Sequence, residues 1–122
     1  MSNNGRVVVG CTHGEEDPDR VVVAYLTAGA ALDQGKEVLM WLTVEGVRLG
    51  LRGYADPIRA GQEPPIERLH QQFFEKGGRM YVCPVCFNER GLDQAELVDG
   101  AELKGASPLM EFVGDGATTF NY

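Results

Sequence analysis

Arg6-Val7-Val8-Val9-Gly10, then Asp17-Pro18 opening a helical stretch to about Gln34, then Lys36-Glu37-Val38-Leu39-Met40-Trp41-Leu42: these three pieces decide the fold. The first is a short β-branched run without alternation, the pattern of a strand buried on both faces. Asp17 supplies an N-cap and Pro18 a first-turn proline. Gly35 is placed as the C′ residue of the same helix, and Gly29 inside it is expected to let the helix pack closely on a sheet. The third piece is again an apolar strand. Strand, helix and strand within about 40 residues form a βαβ unit, so the strands should be parallel with a right-handed crossover.

The rest of the chain repeats the alternation. Thr43-Val44-Glu45-Gly46-Val47 opens a short helix with Thr43 as cap. From Gly50 to Pro64 periodicity fails, and a loop of that length is either functional or disordered. Pro64-Pro65 starts a helix with Ile66, Leu69, Phe73 and Phe74 at helical spacing, stopped by Gly77-Gly78. Arg79 to Val82 is a third strand. Beyond it, Asp93-x-x-Glu96 fits a capping box, Ala101–Leu103 a short extended piece, Ser107-Pro108 a helix closed by Gly114, and Ala117 to Phe120 a last strand. No repeat or low-complexity segment breaks residues 1–122, which read as one α/β domain: a three-layer sandwich around a mostly parallel sheet.

The 122 residues suffice for one core, with 43% hydrophobic and 24% charged residues. Eleven Lys and Arg against 18 Asp and Glu leave a net charge of −7, which argues against direct contact with nucleic acid or an anionic membrane. No apolar run approaches the ~20 residues of a membrane span. The polar start Met1-Ser2-Asn3-Asn4-Gly5 has no signal-peptide pattern, so a cytoplasmic location is expected. In that compartment three cysteines read as catalytic or metal-binding before structural.

The chemistry is expected around Tyr81-Val82-Cys83-Pro84-Val85-Cys86-Phe87-Asn88-Glu89-Arg90-Gly91, a strand turning directly into a helix. Cys83 takes the N-cap and Pro84 the first helical position. The N–H groups of Val85 and Cys86 should point at the Cys83 sulfur and, with the helix dipole, favour thiolate. The competing reading of Cys83 is an inert core thiol. Cys86, one turn on, could resolve a disulfide with Cys83 or pack inward.

Ligands of parallel sheets gather at the carboxyl ends of the strands. The first strand ends in Cys11-Thr12-His13, and Glu45 follows the second. With the common order 2-1-3-4-5, Cys11, His13 and Cys83 would share one crevice with Thr12 beside them, and Glu45 either lends a carboxylate to its mouth or caps the turn at Gly46. His13 is a candidate acid/base, since imidazole titrates near ~6.5, or a plain loop histidine. His70, beside Leu69 and Phe73, reads as a satisfied core or interface histidine. Glu15-Glu16-Asp17 reads as a solvated helix start. Cys11, His13, Cys83 and Cys86 also make a three-Cys, one-His set that zinc could use, and Cys-Pro-Val-Cys suits thiol–disulfide exchange. A thioredoxin topology fits poorly, because about 80 residues precede the motif. No nucleotide-binding motif occurs, and no cofactor is implied.

The sequence resembles the DsrE/DsrF-like family, the small proteins of bacterial sulfur relays that include TusD. The resemblance covers almost the whole chain. It rests on the opening strand with its small-residue helix, on Thr43-Val44-Glu45-Gly46-Val47, on Val82-Cys83 followed eight residues later by Gly91, and on Asp99-Gly100-Ala101. It implies a flavodoxin-like sandwich, a trimeric or hexameric assembly, and a persulfide-accepting cysteine eight residues before the glycine of an Arg-Gly pair. Arg90-Gly91 places that role on Cys83. The implied partners are sulfur donors and acceptors, with Cys86 available to release sulfide. Pro84, Cys86 and Cys11 are additions to the relay pattern. The helix bearing His70, Phe73 and Phe74, with Trp41 and the 50–64 loop, is the surface expected to mediate self-association.

Overall fold

A computed structural model describes residues 4–122; residues 1–3 of the polar stretch Met1-Ser2-Asn3-Asn4-Gly5 lie outside it. Five strands, β1 (Arg6–Cys11), β2 (Glu37–Leu42), β3 (Arg79–Val82), β4 (Ala101–Leu103) and β5 (Thr118–Asn121), form one sheet in the order β4-β3-β2-β1-β5. Every pairing is parallel. The helices are α1 (Pro18–Asp33), α2 (Ile66–Glu75), α3 (Pro84–Glu89) and α4 (Ala106–Val113), with 3₁₀ turns at Val44–Gly50 and Gln94–Glu96. No helix among the described residues is long and apolar enough to cross a membrane.

The three-layer α/β sandwich is the expected one, but the strand order is not. β2 pairs with β1 on one side and β3 on the other, so the first and third strands are not neighbours. The free flank of β1 is taken by β5, which matches Val7–Gly10 with Thr118–Asn121. The chain steps outward from β1 through β2 and β3 to β4, then returns across the sheet to β5. Right-handed crossovers therefore leave α1, α2 and α3 on one face and α4 on the other.

The period of two divides each strand between these faces. Val7, Val9, Met40, Leu42, Met80 and Val82 point into the larger core with Val21, Tyr25, Ile66, Phe73 and Phe87 of the helices. Val8, Leu39 and Tyr81 point the other way, against Leu109 and Phe112 of α4. Burial on both faces is why these strands read as unbroken apolar runs.

The helix ends largely follow the local signals. Asp17 accepts a hydrogen bond from Arg20 N at 3.2 Å and pairs with its guanidinium, and α1 closes at Gln34 with Gly35 beyond it. Asp93 caps a single 3₁₀ turn through Ala95 N at 2.9 Å. α4 begins at Ala106 with Gly105 as cap, just before Ser107-Pro108. Gly29 departs from expectation: a Cβ there would meet nothing within 4 Å, so no close approach to the sheet requires it.

The aromatic side of α2 packs inward within the chain. Phe73 is buried and Phe74 half-buried, while His70 Nδ1 lies 2.6 Å from the hydroxyl of the buried Tyr25. Burial raises the Tyr25 phenol well above its ordinary range, with the nearby Cys11 adding to it, so the hydroxyl keeps its proton. Burial also lowers His70, with only Asp56 opposing. The exposed large apolar side chains are elsewhere: Val23 and Leu26 on α1, Phe120 on β5, and Val44, Val85 and Met110. Leu26 and Phe120 line a groove of about 580 Å³ beside the β5 edge. The 50–64 region is ordered by Ala55 and Ile58, both buried, with Ile58 O accepting from Ile66 N at 2.9 Å.

Two outcomes follow from this packing. Gly29→Ala should raise stability by about 0.5–1 kcal/mol, because alanine is the better helix residue and has room; a urea midpoint at or below wild type would contradict the open space. His70 is lowered in the folded state, so the unfolded chain binds its proton first. The stability tied to neutral His70 is complete above the unfolded value near ~6.5 and is lost as pH falls below it. The difference in urea midpoint between wild type and His70→Phe should therefore shift against wild type between pH 7.5 and 5.5.

Candidate functional site

The carboxyl ends of β1, β2 and β3 lie side by side, and the backbone ladder runs on past them. Thr43 N donates to Cys11 O at 3.2 Å, and Cys83 N donates to Leu42 O at 3.0 Å. Three short segments follow these ends: residues 11–17, the 3₁₀ turn Val44–Gly50, and α3.

Cys83 is the N-cap residue of α3, with Pro84 first in the helix. Its carbonyl accepts from Phe87 N at 3.0 Å, but its sulfur takes no capping hydrogen bond from the first turn. The expected pair of donors from Val85 and Cys86 is thus absent in this side-chain position. Cys83 and Cys86 are half-buried free thiols against the larger core. Val85 between them is 69% exposed. Phe87, 1% exposed, anchors the helix from below. At its far end Gly91 has φ +63°, Gly91 N donates to Asn88 O at 3.0 Å and Leu92 N to Phe87 O at 3.4 Å. This is a Schellman closure, which needs a residue at ease in the left-handed region. The glycine eight positions after Cys83 ends the cysteine helix.

Cys11 is fully buried, and its Sγ donates to His13 O at 3.4 Å. Burial pushes the thiol up to about 11, so it stays protonated at neutral pH. It belongs to the core beneath the edge, where a crevice lining had been expected, because its position in β1 points it toward α1. With β2 between them, β1 and β3 are about 10 Å apart. Among the described residues no three His, Cys, Asp or Glu groups are placed to hold a metal ion, so Cys11, His13, Cys83 and Cys86 do not form the tetrahedral set that their spacing allowed.

Thr12 is tied to the chain's end, its N and Oγ1 both donating to Tyr122 O at 3.0 and 3.2 Å. His13 Nδ1 is 2.6 Å from Glu16 Oε2, while Gly14 N donates to the other Glu16 oxygen at 2.7 Å. Desolvation works upward on Glu16, yet these hydrogen bonds outweigh it and hold the carboxyl below its usual range. Glu16 is thus more than a solvated helix start. Tyr54 of the 50–64 loop reaches over, its hydroxyl accepting from Glu15 N at 2.8 Å.

Glu45 has the most defined surroundings. Arg90 Nε donates to Oε2 at 2.5 Å and Arg48 Nε to Oε1 at 2.8 Å. Hydrogen bonds from Arg90 first, then Arg48, hold its carboxyl below the ordinary value. Arg90 also donates through Nη1 to Cys86 O at 3.1 Å. Thr43 makes no side-chain cap. Val44 sits at φ +53°, a conformation that costs a β-branched residue roughly 1–2 kcal/mol. Gly46 is required by contact: a Cβ there would overlap the Cys11 carbonyl. Sequence reasoning missed Arg48, Glu16, Tyr54 and the position of Arg90 in the site. Arg48, three residues after Glu45, carried a local signal; the Arg90 contact spans 45 residues and carried none.

Residues 5–122 match the model of the DsrE/DsrF-like family. The uncharacterized protein MK0008 of Methanopyrus kandleri is 30% identical over 107 residues, 88% of this chain and 83% of that protein. The uncharacterized protein MJ0760 of Methanocaldococcus jannaschii is 24% identical over 102 residues, 84% of this chain but 37% of that protein, so the chain spans little more than a third of this relative. Among solved structures, the YchN protein of E. coli superposes with a TM-score of 0.77 at 18% identity, covering 100% of both chains. MTH1491 of Methanobacterium thermoautotrophicum, a protein of unknown function, gives 0.69 at 16% identity, over 96% of this chain and 98% of its own. These two likenesses concern the fold.

Gly46→Ala tests the close approach at the centre of this edge. It should cost at least about 2 kcal/mol, because the colliding atom is backbone and cannot rotate away; a urea midpoint within error of wild type would refute it.

Proposed function

The chain belongs to the DsrE/DsrF-like family, and we propose on that footing that it is a cytoplasmic sulfur carrier whose working group is Cys83. The observation that carries the reading is a free, half-buried thiol at the carboxyl end of β3, on the N-cap residue of a short helix closed by Arg90-Gly91, in a chain whose residues 5–122 match the family. Cys83 thiolate attacks the outer sulfur of a donor persulfide R–S–SH. The new S–S bond gives Cys83–S–SH as the donor's S–S bond breaks and R–S⁻ leaves, so no external oxidant or reductant is needed. An acceptor thiolate then takes the outer sulfur by the same exchange.

Cys86 adds a second route. Its thiolate can attack Cys83 Sγ, expelling HS⁻ and forming a Cys83–Cys86 disulfide that an external dithiol must reduce before the next cycle. The same two sulfurs support thiol–disulfide exchange without persulfide as the second reading, favoured by their place on one turn of α3, both half-buried and unpaired. Cys11 takes no part in either, being buried and protonated. His13, Thr12 and Glu45 belong to the surroundings of the edge, His13 with Glu16 as a candidate proton-handling pair. Partners on this reading are proteins or small molecules carrying sulfane sulfur or accepting thiols. Self-association into a trimer or hexamer belongs to the same proposal, with the exposed Leu26 and Phe120 beside β5 as the apolar surface it would use.

Incubation with a persulfide donor should give wild type and Cys86→Ser a +32 Da adduct, about one sulfur atom, on the Cys83 peptide, and leave Cys83→Ser without it. An undiminished adduct in Cys83→Ser would sink the assignment. A Cys83–Cys86 disulfide formed without any adduct would move the function to the second reading.

A further inference from the structure

α3 is only six residues long, far below the ~12–15 at which a helix becomes stable by itself. Its orientation is therefore imposed by what holds it. Phe87 fixes its depth, and the closure at Gly91 fixes its length. Neither fixes its tilt toward the neighbouring segments. The group that reaches sideways is Arg90, the C-cap residue.

Arg90 uses two edges of its guanidinium in two directions. Nε reaches Glu45 Oε2 at 2.5 Å on the segment after β2, and Nη1 reaches the Cys86 carbonyl at 3.1 Å within α3. Glu45 cannot follow α3 if it swings, because Arg48 of the same 3₁₀ turn holds its other oxygen at 2.8 Å. The turn is itself set, with Gly46 against the Cys11 carbonyl and Val47 and Leu49 fully buried. Positions 83, 86 and 90 fall at i, i+3 and i+7, one face of the helix.

We propose that the Glu45–Arg90 ion pair is a latch that fixes α3 against the 3₁₀ turn and so sets how Cys83 and Cys86 present their sulfurs, with Arg90 as a positioning residue. The proposal deepens the sulfur-carrier reading and rests on it only for the identity of the reaction. An alternative use for Arg90, binding an anionic donor, makes the opposite demand on Glu45, which would then be a competitor whose removal helps.

The test compares wild type, Glu45→Gln, Arg90→Gln, Arg90→Lys and the Glu45→Gln/Arg90→Gln double variant, each checked for folding by its urea midpoint. Two quantities are read: amide exchange at Phe87, Arg90 and Gly91, and the alkylation rate of Cys83 by neutral iodoacetamide, mapped by mass spectrometry. Loss of the latch should speed both by roughly two- to fivefold in Glu45→Gln and in Arg90→Gln alike, although one substitution removes a negative and the other a positive charge. Arg90→Lys should resemble Arg90→Gln, since an ammonium lacks the fork, and the double variant should be no worse than either single. Persulfide loading of Cys83 should fall relative to alkylation. Unchanged exchange in the singles, opposite shifts in the two singles, a wild-type-like Arg90→Lys, or effects that multiply in the double would each overturn the latch. Absence of persulfide loading in wild type, with the exchange and alkylation pattern intact, would overturn the sulfur reading and leave the latch standing.

Discussion

The carbonyl of Cys11 is the point on which the carboxyl edge is built. It accepts from Thr43 N, extending the β1–β2 ladder, and has the bare Cα side of Gly46 against it. Any side chain at position 46 would lift the 3₁₀ turn off the end of β1. With glycine there the turn folds down, buries Val47 and Leu49, and leaves Glu45 beside α3. Val44 absorbs the bend in a left-handed conformation unfavourable for valine. Strain of that kind persists where surrounding contacts over-determine it, and here they do: Gly46 N returns to Thr43 O at 2.8 Å, and two guanidiniums hold Glu45.

The same constraint separates the three thiols. Alternation along β1 sends Cys11 into the core between the sheet and α1, where desolvation keeps it protonated. Cys83 lies one residue beyond the end of β3, where the strand's alternation no longer dictates its direction, as the N-cap residue of α3. Cys86 comes one turn later, on the side held by Arg90. Two of the three sulfurs thus meet solvent in part, both on a helix too short to set its own position.

The repeating parts of the fold were legible because they depend on nearest neighbours. β1, α1, β2, α2 and β3 follow from period and punctuation, their ends marked by Asp17-Pro18, Gly35 and Gly77-Gly78. Strand order was not legible. Whether β3 lands beside β1 or beyond β2 depends on the 36 residues between Leu42 and Arg79, in which a folded-down turn and a loop pinned by Ala55 and Ile58 carry the chain outward. The placement of Cys83 was readable from Pro84, since proline at N1 marks a cap. The burial of Cys11 was masked by its position next to Thr12 and His13, polar residues that suggest an open edge. The Glu45–Arg90 contact joins two strand ends that only the true order makes adjacent, so it could not be read without it.

The Arg90-Gly91 pair acquires a mechanical meaning from these contacts. An Arg-Gly pair at a set distance after a cysteine looks in sequence like a binding signature. In the structure the glycine terminates the cysteine helix and the arginine pairs with Glu45 in the turn after β2, so on the proposed latch both bear on the cysteine through backbone geometry. On the proposed reading, a relay thiol has to meet donor and acceptor sulfurs along a nearly linear S–S–S approach, and an untethered six-residue helix would present its sulfur over a wide cone of directions. Fixing the far end of the helix narrows that cone from a distance, since Arg90 grips the Glu45 carboxylate and the Cys86 carbonyl. Cys86 sits under the same control, because the carbonyl that Arg90 grips is its own, so a change in the tilt of α3 carries both sulfurs with it.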